Sequence, residues 1–266
     1  MESTYSIAGI NLRIKGNGGL AREVWKKFEV PESTADACIE MASLDEGVFY
    51  GIERFTVEKA AEIFRDGGDV MAVSEDWRSV TILPLENMNH LQAFLIQVFW
   101  AHAIKKSMIQ THSALIDFDG RGLLFFGPSG IGKTTQAELW QQYCGAKIIN
   151  GDIGFIQETE AGFLGWGTPW HGSSPYCENT SVPVHAMIVL KQAPDNSIRE
   201  LTGFEKVSAV SNNVFYPRWL ENGMELCLET LDHLLRAVPV YELSCRPDEE
   251  AVRITEEAVF GGRFSV

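Results

Sequence analysis

Residues 127–134 read Gly-Pro-Ser-Gly-Ile-Gly-Lys-Thr and match the spacing G-x-x-x-x-G-K-[ST] at every position. The apolar run Leu123-Leu124-Phe125-Phe126 precedes them, and Thr134 to Tyr143 has the composition of a helix. No other stretch restricts the fold as much, because a strand, a tight loop and a helix must follow in immediate succession. Three glycines let the chain double back and bring successive N–H groups close to phosphate oxygens. A helix opening near Lys133 adds its positive N-terminal end. Lys133 can then reach β- and γ-phosphates, and the Thr134 hydroxyl can ligate Mg²⁺. The expected nucleotide-contacting set is Gly127, Ser129, Gly130, Ile131, Gly132, Lys133, Thr134 and Thr135, with ATP and Mg²⁺ as cofactors. Base recognition leaves no motif, so the sequence does not separate ATP from GTP.

Such a loop needs an acidic partner to hold the metal or to activate a nucleophile. Asp152 follows the apolar run Ile148-Ile149 and the turn Asn150-Gly151. At a strand terminus just past the loop's helix, it could coordinate Mg²⁺ or accept a proton from an attacking hydroxyl. Asn-Gly-Asp is also ordinary turn chemistry. Around this centre the chain reads as strands alternating with helices from about residue 90 onward, the signature of an α/β domain. Helices are expected over 134–143, 223–237 and 248–260, with Asp248 as a cap. A further helix is expected over about 89–107 from the spacing of Leu91, Phe94, Leu95, Val98 and Phe99. Before it, short strand-like runs (5–14, 36–43, 47–57, 69–74 and 78–85) alternate with glycine turns. The chain thus divides into a β-rich N-terminal lobe, 1–90, and a P-loop domain, 91–266.

Composition removes several function classes. The 266 residues carry 22 Lys+Arg against 36 Asp+Glu, a net charge of −14. That charge divides evenly between 1–90 and 91–266. A body negative throughout repels phosphodiester backbones and anionic lipid, so nucleic-acid and membrane partners are not expected. The stretch 91–104 is too short and too polar to span a bilayer, and the N-terminus lacks the basic start and long apolar run of a signal peptide. Five scattered cysteines without a C-x-x-C pair argue against a disulfide framework or a cysteine zinc site. A cytoplasmic protein with reduced thiols is expected.

His112-Ser113-Ala114, the segment GLLFFGPSGIGKTT and the apolar run into Asp152 together resemble the core shared by HPr kinase/phosphatases and ATP-dependent phosphoenolpyruvate carboxykinases. The resemblance covers about 110–155 and continues less sharply to about 260, where VPVYELSCRPDEEAV looks like the ending of HPr-kinase-related proteins of unassigned substrate. It implies an α/β fold with a P-loop core of that type, behind the small β-rich N-terminal lobe. It also makes His112 the family's active-site histidine: a metal ligand, a base or a phosphate-orienting group. Gly151 stands where the family has the first of two Asp residues, leaving Asp152 as the sole carboxylate. The chain is far shorter than a phosphoenolpyruvate carboxykinase, and its oxaloacetate-binding arginines find no match.

Two further residues are candidates from the sequence itself. His171 lies in Gly165-Trp166-Gly167-Thr168-Pro169-Trp170-His171-Gly172-Ser173-Ser174, a run too rich in glycine, tryptophan and hydroxyls for a regular element. It could close over substrate, or it could be a turn anchored by its tryptophans. Arg218 could stabilise charge on a transferring phosphoryl group, or it could be one more surface arginine. Asp117 and Asp119 read as a hairpin tip. The function these features imply is an ATP- and Mg²⁺-dependent kinase acting on a hydroxyl, Ser or Thr of a protein or peptide. The alternative is a nucleotide-binding regulatory protein with little or no transfer. HPr kinases assemble into oligomers, so the resemblance also allows a homo-oligomer.

Overall fold

A computed structural model of the chain describes residues 2–16, 23–42, 60–83 and 88–261. It is a mixed α/β protein that separates into two compact units, Met1–Ala103 and Ile104–Val266.

The first unit contains strands β1 (Glu2–Ile7) and β2 (Ile10–Lys15), helix α1 (Glu23–Lys26) and strands β3 (Glu29–Val30) and β4 (Ala37–Met41). Strands β5 (Glu62–Asp66), β6 (Asp69–Val73) and β7 (Ser79–Ile82) follow, then helix α2 (Met88–Ala103). Its described strands form one sheet in the order β3-β1-β2-β4-β7-β6-β5. The run 5–14, read as one strand, is two strands. The chain reverses at Ala8-Gly9, both at positive φ (48° and 72°), the tight turn whose twist matches paired strands. Ile7, Ile10, Leu12, Ile39 and Met71 are fully buried within the unit. The expected strand over 47–57 lies outside the described residues. Helix α2 groups with this unit, so the division falls after Ala103 instead of at residue 90. The physical reason is local: α2 packs on β2, and Trp25 Nε1 donates to Gln92 Oε1 on the helix at 3.3 Å.

The second unit opens with a 3₁₀ turn (Ile104–Lys106), strands β8 (Met108–Phe118) and β9 (Arg121–Phe126), and helix α3 (Lys133–Cys144). Strands β10 (Lys147–Asn150), β11 (Ile153–Thr159), β12 (Gly162–Trp166), β13 (Ser181–Gln192) and β14 (Ser197–Glu200) come next. Helices α4 (Gly203–Ser211) and α5 (Gly223–Ala237), strand β15 (Val240–Cys245) and helix α6 (Glu249–Phe260) complete it. β8 is antiparallel to β9 on one side and to β10 on the other, so β9 and β10 point the same way across it. β9 and β13 are parallel, as are β13 and β15. Helix α3 therefore leaves the end of β9 and returns the chain to β10, whose end lies at the same edge. Asp119 and Gly120, both at positive φ, make the β8–β9 hairpin tip, with Asp117 Oδ1 accepting the Gly120 N–H at 2.7 Å.

Ile116, Leu123, Phe125, Ile188 and Leu243 from the strands bury against Ala137 and Trp140 of α3 and Ala251 and Val252 of α6. Trp140 meets Phe118 edge-on at 5.3 Å. Residues 165–166, read as part of an irregular run, belong to β12 and pair with β11 and β13. Among the described residues, no helix is long and apolar enough to cross a membrane.

Candidate functional site

The loop 127–132 joins β9 to α3 with three glycines at positive φ: Gly127 at 145°, Gly130 at 78° and Gly132 at 116°. A side chain at Gly127 would press on Ile131 Cγ2 at 2.9 Å, so the closed loop requires glycine there. Gly132 is the N-cap of α3, and it offers no side-chain cap. The helix's first N–H groups are thus left for an outside acceptor. Ser129, Gly130 and Thr135 are exposed, and Ile131, Gly132 and Thr134 are half-buried. The loop's entry is pinned by Asn213, a buried residue with no sequence motif: its Oδ1 accepts the Gly127 N–H at 3.0 Å.

Lys133 is buried, and its ammonium folds back onto the loop, donating to the Gly127 and Pro128 carbonyls at 3.1 and 3.3 Å. Burial lowers its pKa from the ordinary lysine value, and the charge of Asp152 opposes that shift. Lys133 Nζ also lies 3.0 Å from His112 Nε2. His112 sits on β8 facing Ile153 of β11, with its backbone N–H donating to the Asn213 carbonyl at 2.8 Å. Asn213 therefore fixes both the loop and the strand that carries the histidine. The same His112 Nε2 is 3.0 Å from Asp152 Oδ1. One ring nitrogen cannot accept from lysine and donate to a carboxylate at once. The tautomer of His112 therefore decides whether Nε2 accepts from Lys133 or donates to Asp152.

The turn that presents Asp152 is built by Asn150, which is fully buried. Asn150 Oδ1 accepts the N–H groups of Asp152 and Ile153, and its amide donates to the Thr168 and Trp170 carbonyls. Thr134 Oγ1 donates to the Gly151 carbonyl at 3.1 Å, tying the first turn of α3 to the same turn. Sequence reading took Asn150 for turn chemistry and did not assign it this bridging role. Among the described residues, no cluster of three or more His, Cys, Asp or Glu side chains is arranged to hold a metal. The donors at hand are one hydroxyl and one carboxylate. That set suits Mg²⁺, which prefers a few protein oxygens completed by phosphate and water.

The segment 167–178 lies directly on this turn. A Cβ at Gly151 would fall on Ser174 Oγ, and a Cβ at Gly172 would collide with Asp152 Oδ2. His171 is held inside its own turn: Nδ1 bonds the Ser174 carbonyl, and the Ser174 N–H donates to the His171 carbonyl. Trp170 is buried, and Trp166 Nε1 donates to Gln157 Oε1 at 3.0 Å. The structure thus brings together Lys133, His112, Asp152 and Thr134, whereas His171 joins none of them by a hydrogen bond among the described residues. Arg218 is exposed, and no hydrogen bond or ion pair among the described residues connects its guanidinium to the site. It follows Phe215, whose ring centroid is 6.3 Å from that of His112.

The class that fold and site define is a mixed α/β protein with a glycine loop opening a helix beside a Lys–His–Asp constellation. No protein-family model matches the chain, and no curated protein matches it. Among solved structures, the HPr(Ser) kinase/phosphatase from Coxiella burnetii is similar at 13% identity and a TM-score of 0.34, over 56% of this chain and 95% of that one. A likeness at that level carries nothing about activity.

Proposed function

We propose that this chain is an ATP- and Mg²⁺-dependent kinase that transfers the γ-phosphoryl group to a Ser or Thr hydroxyl of a protein or peptide. The observation that carries this reading is the meeting of Lys133, His112 and Asp152 at the mouth of the glycine loop. The loop's N–H groups and the α3 N-terminus favour a polyphosphate. Lys133 would exchange its two loop carbonyls for phosphate oxygens, a stronger pairing for a buried ammonium. Mg²⁺ held by Thr134 and Asp152 would neutralise charge on the phosphates. Asp152, or His112 through it, would accept the acceptor's hydroxyl proton as the bond to the phosphorus forms and the bond to ADP breaks. The resemblance of residues 110–155 to HPr kinases supports the same chemistry.

Incubation with γ-labelled ATP and Mg²⁺ in a cell extract should label a discrete protein or peptide species. Lys133→Ala should abolish that labelling without unfolding the chain; retained turnover in the variant would sink the proposal. Near-normal turnover in Asp152→Asn would remove the carboxylate from the mechanism.

One observation favours the regulatory reading as a second. Ser174 fills the space beside Gly151, so no second carboxylate fits there. Nucleotide binding without phosphorylated product across a broad acceptor screen would decide for that reading.

A further inference from the structure

Of the seven large apolar side chains exposed among the described residues, five lie between Phe204 and Leu228. Two of them, Met224 and Leu228, are one turn apart on α5. Glu225 and Glu229 repeat the same spacing one residue further round the helix, and Glu221 lies just before it. All three carboxylates are exposed and none forms a salt bridge or hydrogen bond among the described residues; Glu229 acts through its charge on His233, one turn further along. Residues four apart stack on one helix face, so α5 carries an apolar row beside an acidic row.

The helix that bears this surface is anchored to elements of the candidate site. Helix α5 packs on β8, the strand that carries His112. The Cys227 thiol at the start of α5 donates to the Phe215 carbonyl at 3.7 Å. The Phe215 side chain is itself exposed beside His112. The Cys227 bond thus ties the helix that carries Met224 and Leu228 to the residue whose ring lies beside His112.

We infer that this face docks the acceptor, a peptide segment in which apolar side chains alternate with Lys or Arg close to the phosphorylatable hydroxyl. The inference rests on the kinase reading and names the substrate class for the same site. Apolar side chains of the segment would cover Met224 and Leu228, and its cations would meet the three exposed carboxylates. A second copy of this chain suits the face poorly. A two-fold contact would bring two acidic faces together, on molecules that each carry −14.

The test is fluorescence anisotropy with the full chain and fluorescein-labelled peptides. One peptide repeats Leu-Lys around a central Ser, and the other carries Glu in place of Lys. The Leu-Lys peptide should bind, and the Glu peptide should not. Leu228→Lys and Glu225→Lys should each weaken binding about tenfold. Glu257→Lys on α6 makes the same charge change elsewhere and should leave binding unchanged. An equal loss in Glu257→Lys, no loss in Leu228→Lys, or no binding to the wild type would overturn the docking surface. A sedimenting dimer that Leu228→Lys dissociates would assign the face to a second copy and overturn it as well. Adding ATP and Mg²⁺ separates the two readings. A peptide that docks on this face while γ-labelled ATP labels no species in a cell extract would sink the kinase and leave a peptide-binding surface standing.

Discussion

At the scale of single residues, the site depends on how closely backbone approaches Asp152. Gly172 holds φ at 57°, and any Cβ there would displace the Asp152 carboxylate from His112. Gly172→Ala should therefore lower phosphoryl transfer at least tenfold, measured as initial rate at saturating ATP. Gly162→Ala is the control: φ is 116°, nothing lies within 4 Å of the new Cβ, and the backbone penalty alone is about 1 kcal/mol. Equal loss in both variants would mean that loop strain matters and Asp152 does not. Lys133 makes a second prediction, about stability. Burial depresses its pKa, so the folded state carries a penalty while the ammonium is charged, and the unfolded chain binds that proton more readily. Stability should rise with pH across the window between the lowered value and 10.5. Lys133→Met should accordingly raise the melting temperature at neutral pH while abolishing transfer, and its advantage should shrink as the pH nears 10.5. A variant that melts lower at neutral pH would show that the loop carbonyls need the ammonium more than burial penalises it.

At the scale of elements, the strongly periodic segments were legible in the sequence. The spacing over 223–237 reproduces α5 residue for residue, because Cys227, Leu231 and Leu234 bury one face while carboxylates take the other. Helix α6 begins where Asp248 caps it, the carboxylate accepting the Ala251 N–H at 3.1 Å. Helix α4 was not legible: only Val210 is buried along it, so no apolar period marks it. The reversal at Ala8-Gly9 was hidden because apolar alternation continues on both sides of a two-residue turn. The glycine loop and Asp152 stood out as local patterns. Asn213 did not, since its role depends on a contact across 86 positions. The Asp248 cap has its own test. Arg246 beside it lowers the Asp248 pKa, helped by the Ala251 and Asn196 bonds. A depressed carboxyl contributes stability above its unfolded value, and that stability is lost as pH falls through the lower folded value. Asp248→Ala should cost about 0.5–2 kcal/mol at pH 7 by denaturant titration, the range for a lost helix cap. The cost should fade below pH 3.8. A cost that is independent of pH would assign the effect to packing.

At the scale of the whole molecule, charge governs how an anion reaches the loop. Lys133 and Lys147 are the two cations of the stretch 127–147 and suggest a basic island on an acidic body. The fold reduces that island, because Lys147 pairs with Glu178 at 3.6 Å and Lys133 lies within reach of Asp152 through His112. What remains for a triphosphate is one buried ammonium and a helix N-terminus, set against a net charge of −14. Long-range repulsion should then outweigh long-range attraction when no divalent cation is present. Salt screens such interactions over a Debye length of about 10 Å at 0.1 M, while the short contacts in the loop are screened far less. In EDTA, the affinity for a fluorescent ATP analogue should therefore rise between about 20 and 150 mM salt, the reverse of the trend for a basic site. With excess Mg²⁺ the nucleotide loses half its charge and the salt dependence should flatten. A fall in Mg²⁺-free affinity over the same range would show that Lys133 and the α3 N-terminus control approach despite the acidic body. The acidity would then contribute only to solubility.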